Sequence, residues 1–497
     1  MVFNSAEFLI FFPIVLFIYF IIPKKTRYIW LLAASYYFYM CWNPKYAVLM
    51  ALSTVITYAS GLAIEFCSRR KLKVSWKKAV VAVSFCLNLG ILAVFKYSGF
   101  LIDNLNIVLS RMHINTVSHL NILLPVGISF YTFQALGYTV DVYRGSIRAE
   151  KNVLRYALFV SFFPQLVAGP IERSGNLLTQ IQNVDKMKLW NLEQVSSGLM
   201  IMLWGFFQKM VIADRISIVV DQVYGNYWLY GTVELVLATI FFAIQMYCDF
   251  SSYSLIAIGA ARTMGFSLMQ NFNAPFFARS IKEFWNRWHI SLSLWFRDYL
   301  YFPMGGSRCS RLKKYRNIMV TFLVSGLWHG ANWTYVIGGG LHGVYQVAGD
   351  LLMPVRKRFV KLLKVNTECM SFRLGQILIA FSLNCITMIF FRSRSLSDAV
   401  TYIRRLVTRP NIWTLYDKSL YNLGLDQGQM HILAVSLLVL LFADLLQYRK
   451  GLQLEQFLRM QNLWFRWGVA IAMLYAVITY GVYGPAYDPT QFIYFQF

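Results

Sequence analysis

One histidine stands in an uncharged, largely apolar segment, LVSGLWHGANWTYV (323–336), where Trp328 precedes His329 and Gly330 follows it. A polar side chain in a membrane-spanning segment is costly and tends to face a cavity or a pathway. The unperturbed pKa of imidazole lies near physiological pH, so His329 could act as a general base toward a hydroxyl group. The alternative is a neutral imidazole that hydrogen-bonds a neighbouring carbonyl and supports helix packing.

A second histidine, His289, lies in FARSIKEFWNRWHISLSLWFRDYLYFPMGGSR (277–308). The charged residues of this segment fall on helical faces other than its aromatic face. Among them, Glu283 can pair with Arg287 one turn later. The pattern predicts one amphipathic helix, ended by the glycines at 305–306, that suits a membrane interface or a groove wall. Its aromatic and aliphatic face repeats at steps of three and four: Trp285, Trp288, Leu292, Trp295 and Tyr299.

Other kinds of site find little support in the sequence. A zinc site would need an HExxH motif or paired cysteines and histidines, and neither occurs, so no metal site is predicted. No GxSxG elbow and no P-loop is present. The seven cysteines include no CxxC pair, which argues against a disulfide framework.

The remaining histidines are interpreted as ordinary. His113 and His119 lie in a polar stretch, and His431 opens an apolar run after a polar loop. His342 would lie about 20 Å beyond His329 on one continuous helix. That distance is too long for a shared site unless the glycines at 338–340 bend the chain.

The elements that must hold these residues are predicted to be membrane helices. Of the 497 residues, 58% are hydrophobic and only 14% are charged, against about 25% charged in soluble proteins. The fold class is therefore all-α, in a polytopic membrane protein. A membrane-spanning helix needs roughly 20 mostly apolar residues. Apolar runs close to that length recur along the chain: 7–22, 46–66, 79–95, 195–213, 232–247, 317–336, 373–391, 431–446 and 467–483.

The basic residues orient these spans. The net charge of +25 is explained more simply by the positive-inside rule than by nucleic acid binding. No Lys or Arg precedes Lys24 and none follows Arg466, so both termini are predicted outside, with an even number of crossings, about ten to twelve. The first run lacks a basic segment before it and a cleavage site after it, so no removable signal peptide is predicted. Clusters predicted inside are 24–27, 69–78, 144–155, 308–316, 356–364 and 392–409.

Two more stretches depart from plain spanning helices. Irregular backbone at membrane depth occurs where the chain is packed in protein or lines a cavity. Pro125 and Gly127 interrupt an aromatic run in 123–145. The segment SFFPQLVAGPIER (161–173) carries two prolines and a glycine, which predicts a partly inserted or re-entrant element.

The motifs resemble those of the membrane-bound O-acyltransferase family, and within it the bacterial branch that O-acetylates alginate and peptidoglycan. The motifs are QLVAGPIER, MYCDFSSYSLIAIG, NFNAPFFARSIKEFWNRWHISLSLWFRDYLYFPMGGSR and LVSGLWHGANWTYVIGGGLHG, with FNSAEFLIFFPIVLFIYFIIP and FIYFQF near the termini. The resemblance covers essentially the whole chain. It implies one membrane domain over 1–497, with a catalytic core over roughly 120–350 and further spans in 370–497. Its fold would be a ring of tilted helices around a central tunnel.

The resemblance also implies roles for individual residues. His329, in WHGA, matches the family's signature catalytic histidine. His289, in WHIS, matches the second polar position of the site, which other branches fill with Asn or Asp. Both are expected near the waist of the tunnel, between a cytosolic donor and an acceptor on the other side. Expected tunnel-lining or substrate-lining residues are Trp288, Trp328, Asn332, Asp249, Arg297 and Asp298.

The expected reaction moves an acyl group, acetyl in this branch, from a cytosolic thioester such as acetyl-CoA toward an exported cell-surface polysaccharide. The enzyme is expected in the bacterial cell membrane, in contact with membrane lipid, with no permanently bound cofactor and no nucleic acid partner. An extracytoplasmic acetyltransferase of the SGNH type is the expected protein partner.

Two other functions stay open. Leu255, in DFSSYSL, stands where the acetylating branch commonly has an acidic residue, and resembles the proteins that transfer D-alanine from a carrier protein to teichoic acid. The motif FPMGGSR and the C-terminal spans favour acetyl transfer instead. A non-enzymatic transporter or flippase is the third possibility, although no internal repeat relates the two halves of the chain.

The segment FIYFQF (492–497) adds a hypothesis about Tyr494. A similar FIY-x-x-F motif ends the small partner of the D-alanyl system, whose tyrosine is proposed to carry the acyl group outward. By resemblance, Tyr494 would accept the acyl group near His329 and pass it to an extracellular partner. The alternative is an aromatic anchor at the membrane–water interface.

Overall fold

The chain folds into α-helices, as its hydropathy predicts. The structure is a computed structural model that describes residues 1–120, 122–167, 169–187 and 191–483. Within those ranges it contains twenty-two α-helices and no β-strand, so the predicted all-α class is confirmed.

The helices fall into two runs along the chain. The first run is α1 (Ala6–Ile21), α2 (Arg27–Met40), α3 (Pro44–Arg69), α4 (Val74–Leu92), α5 (Ser98–Arg111), α6 (Ile128–Arg144), α7 (Val153–Ser161), α8 (Phe163–Leu166), α9 (Thr179–Gln182), α10 (Leu192–Phe206) and α11 (Asp214–Gly225). The second run is α12 (Thr232–Thr263), α13 (Ile281–Arg287), α14 (Ile290–Phe296), α15 (Arg311–His329), α16 (Trp333–Leu351), α17 (Met353–Leu362), α18 (Met370–Arg392), α19 (Leu396–Thr408), α20 (Gln427–Lys450), α21 (Leu454–Arg459) and α22 (Leu463–Tyr480).

Several of these helices have the length and apolarity of membrane spans. In the described ranges, seven helical segments qualify: Pro44–Arg69, Val74–Arg111, Leu192–Gly225, Thr232–Thr263, Met370–Arg392, Gln427–Lys450 and Leu463–Tyr480. A shorter apolar helix covers Ala6–Ile21. Such lengths suffice to cross a hydrocarbon core about 30 Å thick. The chain is therefore a polytopic membrane protein.

Internal packing divides the chain into two compact units. The first comprises Met1–Met202 and Tyr253–Met269, and the second comprises Leu203–Ser252 and Gln270–Phe497. Both candidate catalytic histidines belong to the second unit.

In the first unit, the helix breaks lie where proline and glycine predict them. Gly127 has a φ of +74° immediately before α6, a left-handed conformation that glycine adopts without steric cost. A Cβ at Gly127 would also overlap the carbonyl oxygen of Leu166. The stretch 161–173 is likewise broken, because α7 ends at Ser161 and α8 occupies only Phe163–Leu166.

In the second unit, the predicted span 317–336 is wrong as one continuous helix. Helix α15 ends at His329, and α16 begins at Trp333 after a short extended link. The two helices then pack against each other as an antiparallel hairpin, and Lys314 pairs with Asp350 at its open end across 2.7 Å. Asn332 caps the start of α16 by accepting a hydrogen bond from the Thr334 amide, as N-cap residues do.

The single amphipathic helix predicted within 277–308 is also wrong. Helix α13 ends at Arg287, α14 begins at Ile290, and a π-helical turn follows α14. The break occurs because His289 has a left-handed backbone, with φ +43° and ψ +52°. The predicted pair of Glu283 and Arg287 is confirmed at 3.0 Å.

Candidate active site

His329 is the last residue of α15 and lies deep in the α15–α16 hairpin. Continuous helix runs from Arg311 to His329, so the imidazole lies about 20 Å along the axis from Arg316. Two glycines beside it, Gly326 and Gly330, allow the chain of α16 to approach closely. A Cβ at Gly326 would overlap the carbonyl oxygen of Tyr335, and one at Gly330 would overlap the Tyr335 ring.

His289 is positioned by a loop that is remote in sequence. The backbone amide of Ile290 donates to the carbonyl of Asn271 at 2.9 Å, and the Ser291 hydroxyl donates to Oδ1 of Asn271 at 2.7 Å. These bonds hold the start of α14 against residue 271. They stabilise the left-handed backbone of His289, which a non-glycine residue adopts only at some cost.

The two histidines meet inside the second unit. Their ring centroids are 6.2 Å apart with the planes inclined by 61°. His289 is fully buried, and His329 is 9% exposed. The two imidazoles are therefore near neighbours, as paired acid–base or base–oxyanion chemistry requires.

Aromatic rings surround this pair. The ring of Phe250 lies 4.6 Å from His289, and Trp328 lies 5.0 Å from His329 and 5.9 Å from His289 between centroids. The ring of Phe391 also lies 5.8 Å from that of His329 between centroids. Such apolar walls exclude water and strengthen electrostatic interactions inside the site.

Burial sets the protonation state of His289. The residue lies at the junction of α13 and α14, outside the seven candidate spans. Burial lowers the pKa of His289 well below its usual value, and the neighbouring His329 lowers it further. A lowered pKa makes the imidazole of His289 neutral at physiological pH, so it offers one N–H donor and one acceptor nitrogen.

Two of the six predicted lining residues lie beside the histidines. Trp328 contacts both imidazoles. Trp288 precedes His289 and packs on Phe272 at 5.0 Å and on Phe284 at 5.4 Å. Both indole rings are buried.

The other predicted lining residues have contacts of different kinds. Asn332 caps α16, and its amide group donates to the carbonyl of Arg394 at 3.4 Å. Arg297 and Asp298 pair with each other at 2.8 Å and are partly exposed. Asp249 is buried, and it precedes Phe250, which packs on His289. Whether any of these four lines a substrate path stays a prediction.

Asp249 belongs to a buried ionic cluster that sequence reasoning missed. The ammonium group of Lys209 lies 2.6 Å from Oδ1 of Asp249 and 2.8 Å from Oδ1 of Asp214. None of the three side chains is more than 6% exposed. Lysine and aspartate within the apolar stretch 195–225 were the available signal, because charged side chains at membrane depth are rare and tend to be paired.

The remaining histidine of the hairpin is separate from the pair. His342 packs edge-on against Trp285 at 5.1 Å and stacks on Phe284 at 6.0 Å. The premise of one continuous helix was wrong, since the chain reverses at residues 330–332. The glycines at 338–340 lie within α16; a Cβ at Gly339 would come 2.5 Å from the carbonyl oxygen of Phe322.

Two further sequence predictions concern metal ligands and Tyr494. Among the described residues, no group of three or more His, Cys, Asp or Glu side chains is placed to hold a metal ion. Tyr494 lies outside the described residues, so the acyl-relay hypothesis stays a prediction.

The chain is similar in sequence to known acyltransferases. The profile of the membrane-bound O-acyltransferase family matches residues 18–393. The chain is 35% identical to a probable alginate O-acetylase of Azotobacter vinelandii, over 90% of this chain and 85% of that protein. It is 32% identical to a peptidoglycan O-acetyltransferase of Helicobacter pylori, over 82% and 80%. A teichoic acid D-alanyltransferase of Bacillus subtilis is more distant, at 28% identity over 48% of this chain and 62% of that protein.

Proposed function

The chain belongs to the membrane-bound O-acyltransferase family, and we propose that it moves an acetyl group from a cytosolic thioester to an exported cell-surface polysaccharide. The chain is a multi-pass O-acyltransferase. The acetyl group and the polysaccharide are supported by relatives that are named for O-acetylation of alginate and of peptidoglycan. Acetyl-CoA is the donor in this proposal.

One observation carries the proposal. The ring centroids of His289 and His329 lie 6.2 Å apart in a buried site walled by aromatic side chains. Acyl transfer to a hydroxyl needs a base for the hydroxyl proton and a hydrogen-bond donor for the developing oxyanion. Two neighbouring histidines supply both.

In the proposed reaction, a ring nitrogen of His329 takes the proton from the acceptor hydroxyl as its oxygen attacks the thioester carbonyl. The N–H of neutral His289 donates to the carbonyl oxygen, which carries the negative charge of the tetrahedral intermediate. The carbon–sulfur bond then breaks, and the leaving thiolate takes the proton from the His329 imidazolium. The products are an ester and a free thiol, and His329 returns to its starting form.

The proposed orientation follows from the basic clusters. The positive-inside rule places the segments 69–78 and 144–155 on the cytoplasmic side of the cell membrane, where the donor is available. The acceptor is served from the outer side, with an extracytoplasmic acetyltransferase of the SGNH type as the partner that completes transfer to the polysaccharide.

D-alanyl transfer to teichoic acid is the second candidate. Leu255 in place of an acidic residue favours it, as does the similarity to a teichoic acid D-alanyltransferase. That similarity extends over only 48% of this chain, which is why acetyl transfer is placed first.

The test is mass spectrometry of surface polysaccharide from cells with the wild-type protein, with none, and with His329→Ala. Acetyl esters should appear with the wild type alone, because removal of a general base slows transfer by about 10²- to 10⁴-fold. The variant must be present in the membrane at the wild-type level. D-alanyl esters would replace the first candidate with the second. Equal acylation in all three strains would contradict both acetyl transfer and D-alanyl transfer. A non-enzymatic transporter would then be the remaining candidate.

A further inference from the structure

A polar cavity lies in the first unit and shares no lining residue with the candidate active site. Its volume is about 410 Å³, within the range of about 300–1,000 Å³ that is typical of small-molecule sites. The C-terminal end of α3, the loop between α6 and α7, and the segment 174–182 form its walls. The charged side chains among its lining residues are Glu65, Arg69, Arg148, Glu150 and Lys151.

The carboxylates of Glu65 and Glu150 are bonded to other residues around the cavity. Glu65 pairs with Arg69 through one oxygen and accepts from the amide of Ala149 at 2.9 Å through the other. Glu150 accepts from the amide of Asn152 at 2.8 Å and from the side-chain amide of Gln182 at 2.5 Å, again through different oxygens. These bonds fasten the 147–152 loop to α3 and α9, so the acidic groups shape the cavity.

Two cations of the lining remain available to a ligand. Arg148 and Lys151 are exposed and lie three residues apart on the same loop. In the part of the chain that the structure describes, neither side chain forms a hydrogen bond or an ion pair. Three cationic and two anionic side chains line the cavity, so 3 − 2 leaves its lining with a net formal charge of +1.

We propose that this cavity binds a phosphate ester through Arg148 and Lys151. The planar guanidinium matches two phosphate oxygens, and a lysine adds a mobile point charge to the same group. Both residues lie in the basic cluster 144–155, which is predicted to be cytoplasmic. Phosphate esters reach that face of the membrane either as anionic lipid headgroups or as soluble nucleotides. The site is independent of the proposed acyl transfer.

The test uses the purified full-length chain in detergent with two probes. Equilibrium dialysis measures binding of uridine 5′-monophosphate, a soluble phosphate ester that is not part of acetyl-CoA. Native mass spectrometry measures retention of phosphatidylglycerol against phosphatidylcholine. The wild type should bind at least one phosphate probe, and the Arg148→Gln/Lys151→Gln double variant should bind it about tenfold more weakly or worse, because two charged hydrogen-bond donors are lost.

The matched control is Arg404→Gln/Lys418→Gln, which removes two exposed cations from other elements. It should bind the probe as the wild type does, and all proteins should share one unfolding temperature because every changed side chain is exposed. Binding of the lipid alone identifies the ligand as a headgroup, and binding of the nucleotide alone identifies a soluble ester. The proposal is overturned if the wild type binds neither probe, if the double variant binds like the wild type, or if both double variants lose binding equally.

Discussion

Lys209 and Asp249 form an ion pair of 2.6 Å in which neither side chain is more than 2% exposed. Forty positions separate them in the chain, and Asp214 adds a second carboxylate 2.8 Å from the same ammonium group. The pair lies next to the site in the chain, since Phe250 follows Asp249 and packs on His289. Its integrity should therefore affect both stability and activity.

The two partners should not be equally sensitive to substitution. Lys209→Met leaves two buried carboxylates without their cation, which should cost about 3–5 kcal/mol of unfolding free energy. Asp249→Asn keeps the pair of Lys209 with Asp214 and should cost about 1–2 kcal/mol. Thermal unfolding of the detergent-solubilised proteins shows whether Lys209→Met is the more destabilising substitution.

An exposed pair provides the control for this series. Arg373 and Glu368 are 44% and 81% exposed at their side chains, so Arg373→Gln should change stability by less than about 1 kcal/mol. If Asp249→Asn proved as damaging as Lys209→Met, Asp214 would not be a second partner of the ammonium group.

The neutrality of His289 predicts a pH profile. Burial and His329 hold the pKa of His289 well below its usual value, so this group is unprotonated at neutral pH. Its ionisation should not set the midpoint of the acid limb of the rate profile. His289→Ala should slow transfer by roughly 10²- to 10³-fold, the usual loss for one oxyanion donor. His289→Asn keeps a neutral donor and should lose less.

Acyl transfer rates of reconstituted protein between about pH 5.5 and 8.5 measure this prediction. The midpoint of the acid limb should coincide in the wild type and in His289→Asn, with only the plateau lowered. A midpoint that moved by a full unit would mean that His289 itself titrates there.

The membrane class and the helix breaks at proline and glycine could be predicted because they depend on local composition. Gly127 marks the start of α6, and the proline-containing stretch 161–173 is interrupted. The pair of Glu283 and Arg287 followed from spacing on one helix turn. In each case the residues involved are near neighbours in the chain.

The break at His289 could not be predicted in this way. The aromatic stripe repeats through residue 299 without a proline or glycine, so periodicity favours an unbroken helix. What stabilises the left-handed backbone is hydrogen bonding of Ile290 and Ser291 to Asn271, twenty residues earlier. Likewise, Lys209 and Asp249 meet only because α12 returns to the segment that precedes α11. Such contacts depend on tertiary structure that periodicity does not encode.

Tyr494→Phe separates the relay hypothesis from the anchor interpretation. If the hydroxyl carries the acyl group, the variant should lose polysaccharide acylation, and wild-type protein incubated with donor alone should accumulate an acyl adduct on the peptide containing Tyr494. Phenylalanine keeps the aromatic ring and loses only the hydroxyl group, so a residue that serves as an anchor should tolerate the change. Tyr475→Phe, on an exposed tyrosine of α22, is the matched control. Full acylation with Tyr494→Phe would exclude the relay.

Two glycines of the α15–α16 hairpin should respond oppositely to alanine. A Cβ at Gly326 would overlap the carbonyl oxygen of Tyr335, whereas one at Gly349 would meet nothing within 4 Å. Gly326→Ala should therefore push the helices apart at a cost of about 1–3 kcal/mol. Because Gly326 lies one turn before His329, transfer should also slow. Gly349→Ala should keep activity and gain up to about 1 kcal/mol, since alanine favours helix over glycine. Unfolding temperature and transfer rate, measured on both variants, test the hairpin; equal effects would contradict this packing.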